Sequence, residues 1–410
     1  MALVASCGGD DGDSNGDTAD PTAVSGSPDP STTVPSSEPD DTALDAGSDD
    51  AGSGDAGSGD AIAPILLALN FGVPGSDAVA VPHFQDAAAL AAEEINAQGG
   101  IDGAPVQFEV VHTPLDPNEA LTAINLSYSK SPTAILGAVS SAQVLAAART
   151  IQDSGVPFLH WSASDNLARG GEGGTDWSFR IRPSNESLTR AVAQFVAEDL
   201  GAERVGIIYH DSEYGTTGTA ALEEHFAALE VVVDVARGHA VDATDLTGDV
   251  LEMANVDVIV AWTLPNQVAL LTNTLRDNGL AIPVVTSESG SIALRQGLIE
   301  PVPESGVYTV AQCDPVIEQT PFAQRFEAEF GYPADGNAAT AYDAFHMLAS
   351  VIEAVGTAPE AIRDGLEALE YTGECGMYRG EPDTHDLAPD TGSIIAWTEA
   401  NSGSVARSWP

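Results

Sequence analysis

The sequence predicts an α/β protein of two lobes, each a parallel sheet with helices on both faces. Short apolar stretches recur along the chain, near Pro64 to Asn70, Ala134 to Val139, Val156 to Trp161, Val205 to Tyr209, Asp257 to Ala261, Ile282 to Thr286 and Val307 to Ala311. Helical stretches separate most of them, and such alternation implies sheets covered on both faces. The 350 residues from Ala61 onward exceed one typical core, so two lobes are expected.

The most informative unit runs from Val81 to Val111. Phe84, Ala88, Ala91 and Ile95 recur at helical spacing, Gly99 and Gly100 stop the helix, and an apolar strand follows. Together with Pro64 to Asn70 this makes a strand, helix, strand unit. The loop between, Phe71 to Val79, is rich in Gly, Pro and Ser, as a ligand-facing crossover would be. Further helices are predicted over Ala142 to Asp153, Asn185 to Leu200, Thr217 to Leu229, Pro265 to Asn278 and Ala338 to Val355. In the second of these, Leu188, Val192, Phe195 and Val196 form the inner face.

Residues 1 to 60 obey a different chemistry. They carry fourteen Asp or Glu, no Lys or Arg and almost no bulky apolar residue, so they cannot bury a core. Repeats such as Ala-Gly-Ser-Gly-Asp within Ala51 to Asp60 read as a self-repelling tether. Asp11 to Asp17 begins like a calcium loop, but Thr22 stands where the bidentate acid would be needed, so it too reads as tether.

Charge excludes one class of partner. The formal charge is −48 and Lys130 is the only lysine, so nothing here neutralises phosphates and nucleic acid is ruled out. Removing the fourteen tether acids leaves −34 on the body, a self-repulsion that suits a saline habitat. No body segment has the unbroken apolar length to cross a bilayer.

Enzyme signatures are missing as well. The chain has no His-Glu-x-x-His, no phosphate loop ending in Gly-Lys and no nucleophile elbow, and Gly170 to Gly174 lacks the dinucleotide context. No catalytic residue, cofactor or metal is therefore expected. Instead, polar residues cluster at strand ends, where ligands sit in doubly wound sheets. These are Ser140-Ser141, Ser162-Ala163-Ser164, His210 to Gly215, Trp262-Thr263 and Ser287-Glu288-Ser289. Each alone could equally be ordinary helix-cap chemistry; five together favour a site. His160 and His210 read as hydrogen-bonding wall residues, not metal ligands.

At these residues the chain resembles the type I periplasmic binding proteins of the branched-chain amino acid transport group, the leucine-binding-protein-like lipoproteins. The resemblance spans about Ile62 to Val405. It is carried by Ala92-Glu93-Glu94-Ile95-Asn96-Ala97-Gln98-Gly99-Gly100-Ile101-Asp102-Gly103, by Leu136-Gly137-Ala138-Val139-Ser140-Ser141, by Asp211-Ser212-Glu213-Tyr214-Gly215 and by Ala341-Tyr342-Asp343-Ala344. It implies two Rossmann-like lobes joined by a three-segment hinge with the ligand cleft between them. The crossings would fall near Arg182 to Ser184, Val310 to Asp314 and Thr372 to Gly376. Residues 62–183 and 313–373 would form lobe one, 184–312 and 374–410 lobe two, and 1–61 a residual signal and tether.

The same resemblance implies residue roles. Ser141, at a helix start whose free N–H groups suit an anion, would take a carboxylate. Ser162 and Ser164 would contact the charged groups of an amino acid, and Glu288, from the other lobe, would receive its ammonium. Trp161, Tyr214 and Trp262 are candidates for an apolar wall, although each could equally be packing, and Leu264 stands where many relatives have an aromatic residue. The implied function is solute capture by lobe closure and delivery to an ABC permease, by a monomer. The alternative is a sensing receptor for amides, urea-like or aromatic compounds.

Leu3-Val4-Ala5-Ser6-Cys7 resembles a lipobox, which predicts lipidation of Cys7 and an extracytoplasmic, membrane-anchored protein. The basic and apolar regions that usually precede a lipobox are absent, as a shortened start would leave them. In the family's layout Cys313 and Cys375 both fall at hinge crossings, so they would form either a disulfide or two buried thiols.

Overall fold

Alternating periodicity becomes alternating structure. The computed structural model describes residues 62–72, 81–314, 319–389 and 391–409. The tether, Cys7 and most of the loop after Asn70 lie outside these residues.

The first sheet comprises β1 (Ile65–Asn70), β2 (Val106–Val110), β3 (Ala134–Gly137), β4 (Phe158–His160) and β5 (Ser178–Arg180), all parallel in the order β2-β1-β3-β4-β5. Strand alternation assigns its two faces. Leu67 and Leu69 of β1 join one core, whereas Ala68 joins the core on the other side. On the first face lie α1 (Val81–Ala97) and α10 (Gly336–Val355), together with α9 (Pro321–Phe330) and α11 (Pro359–Glu367). Phe84, Ala88, Ala91 and Ile95 face this core, as their spacing predicts. On the second face lie α2 (Pro117–Ser129) and α3 (Ser141–Ser154). Gly100 ends the α1 turn at φ 75°, where an added Cβ would sit 2.1 Å from the Ala104 carbonyl oxygen, so glycine is required.

The second sheet is larger. Strands β6 (Arg204–His210), β7 (Val232–His239), β8 (Val258–Trp262), β9 (Val284–Thr286) and β10 (Val307–Ala311) run parallel, and β13 (Gly392–Glu399) and β14 (Ser402–Trp409) extend the edge antiparallel. Helices α4 (Asn185–Gln194) and α5 (Glu213–Ala228) cover one face. The other carries α6 (Thr247–Glu252), α7 (Pro265–Asp277) and α8 (Ser289–Arg295). The segment predicted as one helix over Asn185 to Leu200 is α-helical only to Gln194. It then widens into a π turn over Phe195–Asp199, where Leu200 N–H bonds to the Phe195 carbonyl at 3.1 Å.

The chain passes from the first sheet to the second between Arg180 and Asn185, and returns after Ala311. The last passage lies later than the Thr372 to Gly376 that the resemblance implies. The hairpin β11 (Glu370–Gly373) and β12 (Gly376–Arg379) places Cys375 and Tyr378 in the first core, and Leu387 follows them there before β13 joins the second sheet. The third crossing thus falls between Leu387 and Gly392, because Tyr378 and Leu387 find apolar partners in the first lobe.

Candidate ligand-binding site

Parallel strands share one direction, so the carboxyl ends of β3 and β4 and of β6, β8 and β9 all open onto one crevice. A cavity of about 370 Å³ lies there, within the range of small-molecule sites. Its walls are largely apolar, with Phe84, Leu115, Val139 and Trp161 from the first lobe and Val241, Leu264, Pro265 and Ile292 from the second.

Ser141 lines the cavity at the first turn of α3. Gln143 holds that turn in place: its Oε1 accepts the Ser140 N–H at 2.9 Å, and its Nε2 donates to the Pro114 carbonyl at 2.7 Å. The Ser141 hydroxyl oxygen accepts the Ser164 N–H at 3.2 Å, tying the two loops together. Behind them Arg180, only 3 % exposed, donates to the Ser164 carbonyl at 2.8 Å and forks onto Asp386 at 2.7 and 2.8 Å.

The predicted site residues separate into two groups. Ser141, Tyr214 and Glu288 line the cavity; Ser162, Ser164 and Trp262 do not. The Ser162 hydroxyl pairs with His160 Nδ1 at 2.6 Å, and burial, with the charge of Arg180 second, holds that imidazole at about 3 and so neutral. The Ser164 hydroxyl donates instead to Glu213 Oε1 at 2.7 Å. Trp262 is fully buried beneath Tyr214, with ring centroids 5.6 Å apart, and its indole N–H donates to Asn185 Oδ1 at 3.1 Å. Gly218 makes that packing possible, since a Cβ there would lie 2.1 Å from the indole nitrogen. A glycine inside a predicted helix is the sequence signal that a bulky neighbour presses against it.

Tyr214 reaches the cavity with its hydroxyl bonded to Ser287 and its ring stacked against His210. His210 also lines the cavity; burial first, then the charge of nearby His239, holds it at about 4. Trp161 faces the cavity too, anchored by its indole N–H to Thr340 Oγ1 at 2.9 Å and edge-packed on Phe71 and Phe84.

Arg182, which the family resemblance places at a hinge crossing, changes the electrostatics. Arg182 lines the cavity and is ion-paired with Glu288, both side chains being mostly buried. Burial pushes the Glu288 carboxyl above its ordinary range, and Arg182 pulls it back. The available signal was a pair of arginines, Arg180 and Arg182, in the stretch Phe179 to Pro183 of a chain with only fourteen Lys and Arg against sixty-two acids. Cys313 and Cys375 are joined as a disulfide, with Cα atoms 5.1 Å apart, linking the segment after β10 to the β11–β12 turn.

Two sheets of doubly wound build, joined by three segments and enclosing a cavity at their strand ends, give the two-lobed architecture of the periplasmic binding proteins. The family model described as periplasmic binding protein matches residues 67–394, and the chain belongs to that family. Among curated proteins it is similar to the Leu/Ile/Val-binding protein homolog 8 of Brucella suis, 26 % identical over 333 residues that cover 76 % of this chain and 81 % of the relative. Among solved structures it resembles the branched-chain amino acid transporter substrate binding protein LivJ of Streptococcus pneumoniae in complex with isoleucine. The TM-score is 0.74 at 22 % identity, covering 84 % of this chain and 99 % of that one. A solute binding protein of an ABC transporter from Rhodopseudomonas palustris, solved with 3,4-dihydroxy benzoic acid, shares the fold at a TM-score of 0.71 and 16 % identity, covering 81 % and 92 %.

Proposed function

We propose that this protein is the extracytoplasmic solute receptor of an ABC importer, capturing an amino acid or an analogue of one between its lobes and presenting the closed form to a permease. The observation that carries the reading is the cavity at the strand ends, with Ser141 and the start of α3 on one side and Tyr214 and Glu288 on the other. A helix N-terminus favours a carboxylate, and the apolar walls suit an aliphatic or aromatic body. Named relatives support the class of solute: one is a Leu/Ile/Val-binding protein homolog, another was solved with isoleucine and a third with an aromatic acid.

In this reading residues 62–181 with 319–389 move as one lobe and 185–311 with 391–409 as the other. Closure is a hinge rotation that the bound solute stabilises by bridging both. Cys7 carries the lipid, and the chain works as a monomer.

A thermal-shift screen of amino acids, amides, urea-like compounds and aromatic acids, paired with small-angle scattering, tests the proposal. At least one carboxylate should raise the melting temperature and reduce the radius of gyration, and Ser141→Ala should weaken that solute about tenfold. Saturation without compaction would defeat the closure mechanism. Detergent phase partitioning of the protein made in a bacterial host, with Cys7→Ser as control, tests the anchor.

A further inference from the structure

Amino acid recognition by an acidic side chain needs that acid to be open to an ammonium. Glu288 is not open. The Arg182 guanidinium already occupies it, and the two side chains are 14 % and 18 % exposed, so the pair is largely dry. An ammonium arriving at Glu288 would compete with a cation tethered a few ångströms away, and any success would leave a mostly buried guanidinium without its counter-charge. Beside that guanidinium it would also meet like-charge repulsion in a poorly screened space.

The other acid on the cavity wall does not replace Glu288. Asp211 is exposed, and a hydrated carboxylate attracts an ammonium weakly. His210 and Tyr214 are both uncharged, so neither offers an ammonium a counter-charge.

For an anion the balance is reversed. Arg182 has five N–H donors, Glu288 occupies part of them, and Nε has no partner. Ser141 and the first turn of α3 add a second region of positive potential. Between these polar groups the walls offer Phe84, Leu115, Trp161, Leu264 and Ile292.

Resting on the reading of this cleft as a site for small carboxylates, we infer that Arg182, by occupying Glu288, makes the protein selective for carboxylates with an apolar or aromatic body and no α-ammonium group. Arg182 is then the specificity-determining residue, and Glu288 positions it.

Calorimetric titration of the full chain near pH 7.5 with matched pairs tests this. The pairs are 4-methylpentanoate against L-leucine and 3-phenylpropanoate against L-phenylalanine, which differ only in the amine. The deaminated member should bind at least tenfold more tightly. Arg182→Met should reverse the preference, because it frees Glu288 for the amine, and Arg182→Gln should do the same if methionine compromises folding. Tighter binding of the amino acids by the unmodified protein would overturn the inference and leave the small-carboxylate reading standing. Silence of every probe would overturn both.

Discussion

Glu213 Oε1 accepts hydrogen bonds from the Ser164 hydroxyl at 2.7 Å and the Asn166 amide at 2.8 Å, joining a loop of the first lobe to the first turn of α5 in the second. Glu213 does not line the cavity, so its part in binding runs through closure and not through contact. Two charge-assisted bonds to one carboxylate contribute about 2 kcal/mol to the closed arrangement. Glu213→Ala should therefore weaken every solute by roughly the same factor, on the order of tenfold, and enlarge the unliganded radius of gyration. A loss confined to one solute would show that Glu213 acts on the guest directly.

Arg180 and Asp386 should respond unequally to deletion. Arg180 is 3 % exposed and Asp386 26 %, so removing the acid strands a buried cation, whereas removing the arginine leaves an acid that water can reach. Asp165, 3.9 Å from Arg180, compensates only in part. Asp386→Ala should cost about 3–5 kcal/mol in urea unfolding and Arg180→Met distinctly less. Equal costs would mean that the guanidinium's bonds to the Ala163 and Ser164 carbonyls, and not its charge, set the energy.

The fold was readable because its signals are local. Leu67, Ala68 and Leu69 alternate between two cores, and Phe84 through Ile95 keep a helical period, so chain order alone conveys strand, helix and lobe number. Ser141, Tyr214 and Glu288 were readable as strand-end residues for the same reason. The pairing of Arg182 with Glu288 was not, since 106 residues separate them and nothing local to either records the other. Trp262 and Ser164 looked like cavity residues because strand-end position says where a residue sits but not which way its side chain turns. Gly218 turns Trp262 inward and Glu213 takes the Ser164 hydroxyl. The third crossing was misplaced for a similar reason, because Tyr378 and Leu387 owe their lobe to tertiary partners.

The disulfide closes a long loop. Cys313 and Cys375 are 62 residues apart in sequence, and a loop of that size corresponds to roughly 4 kcal/mol of restricted unfolded-chain entropy. Reduction, or Cys313→Ser with Cys375→Ser, should lower the urea midpoint accordingly. The cavity walls contain neither cysteine, so affinity for any solute should change little. Thiol counting on denatured, unreduced protein should find neither residue, and two free thiols from these positions would contradict the bond.

The buried pair of His83 and Asp335, at 3.2 Å, predicts a bounded pH window. For His83, burial acts to lower the pKa, but the Asp335 carboxylate outweighs it and the net shift is upward; Arg295 opposes and Asp86 assists. For Asp335, burial acts upward, but His83 and the Ala338 N–H bring the carboxyl down to about 2. A raised histidine contributes stability that is fully present below its unfolded value, about 6.5, and is lost as pH rises through the folded value. A depressed carboxyl contributes stability present above its unfolded value, about 3.9, and lost as pH falls toward 2. The pair is thus at full strength from about pH 4 to 6.5. His83→Gln removes the alkaline limb, so between pH 6.5 and 8.5 the urea midpoint of the unmodified protein should fall toward that of the variant. Parallel curves for the two proteins across that interval would show that His83 carries no charge in the folded state.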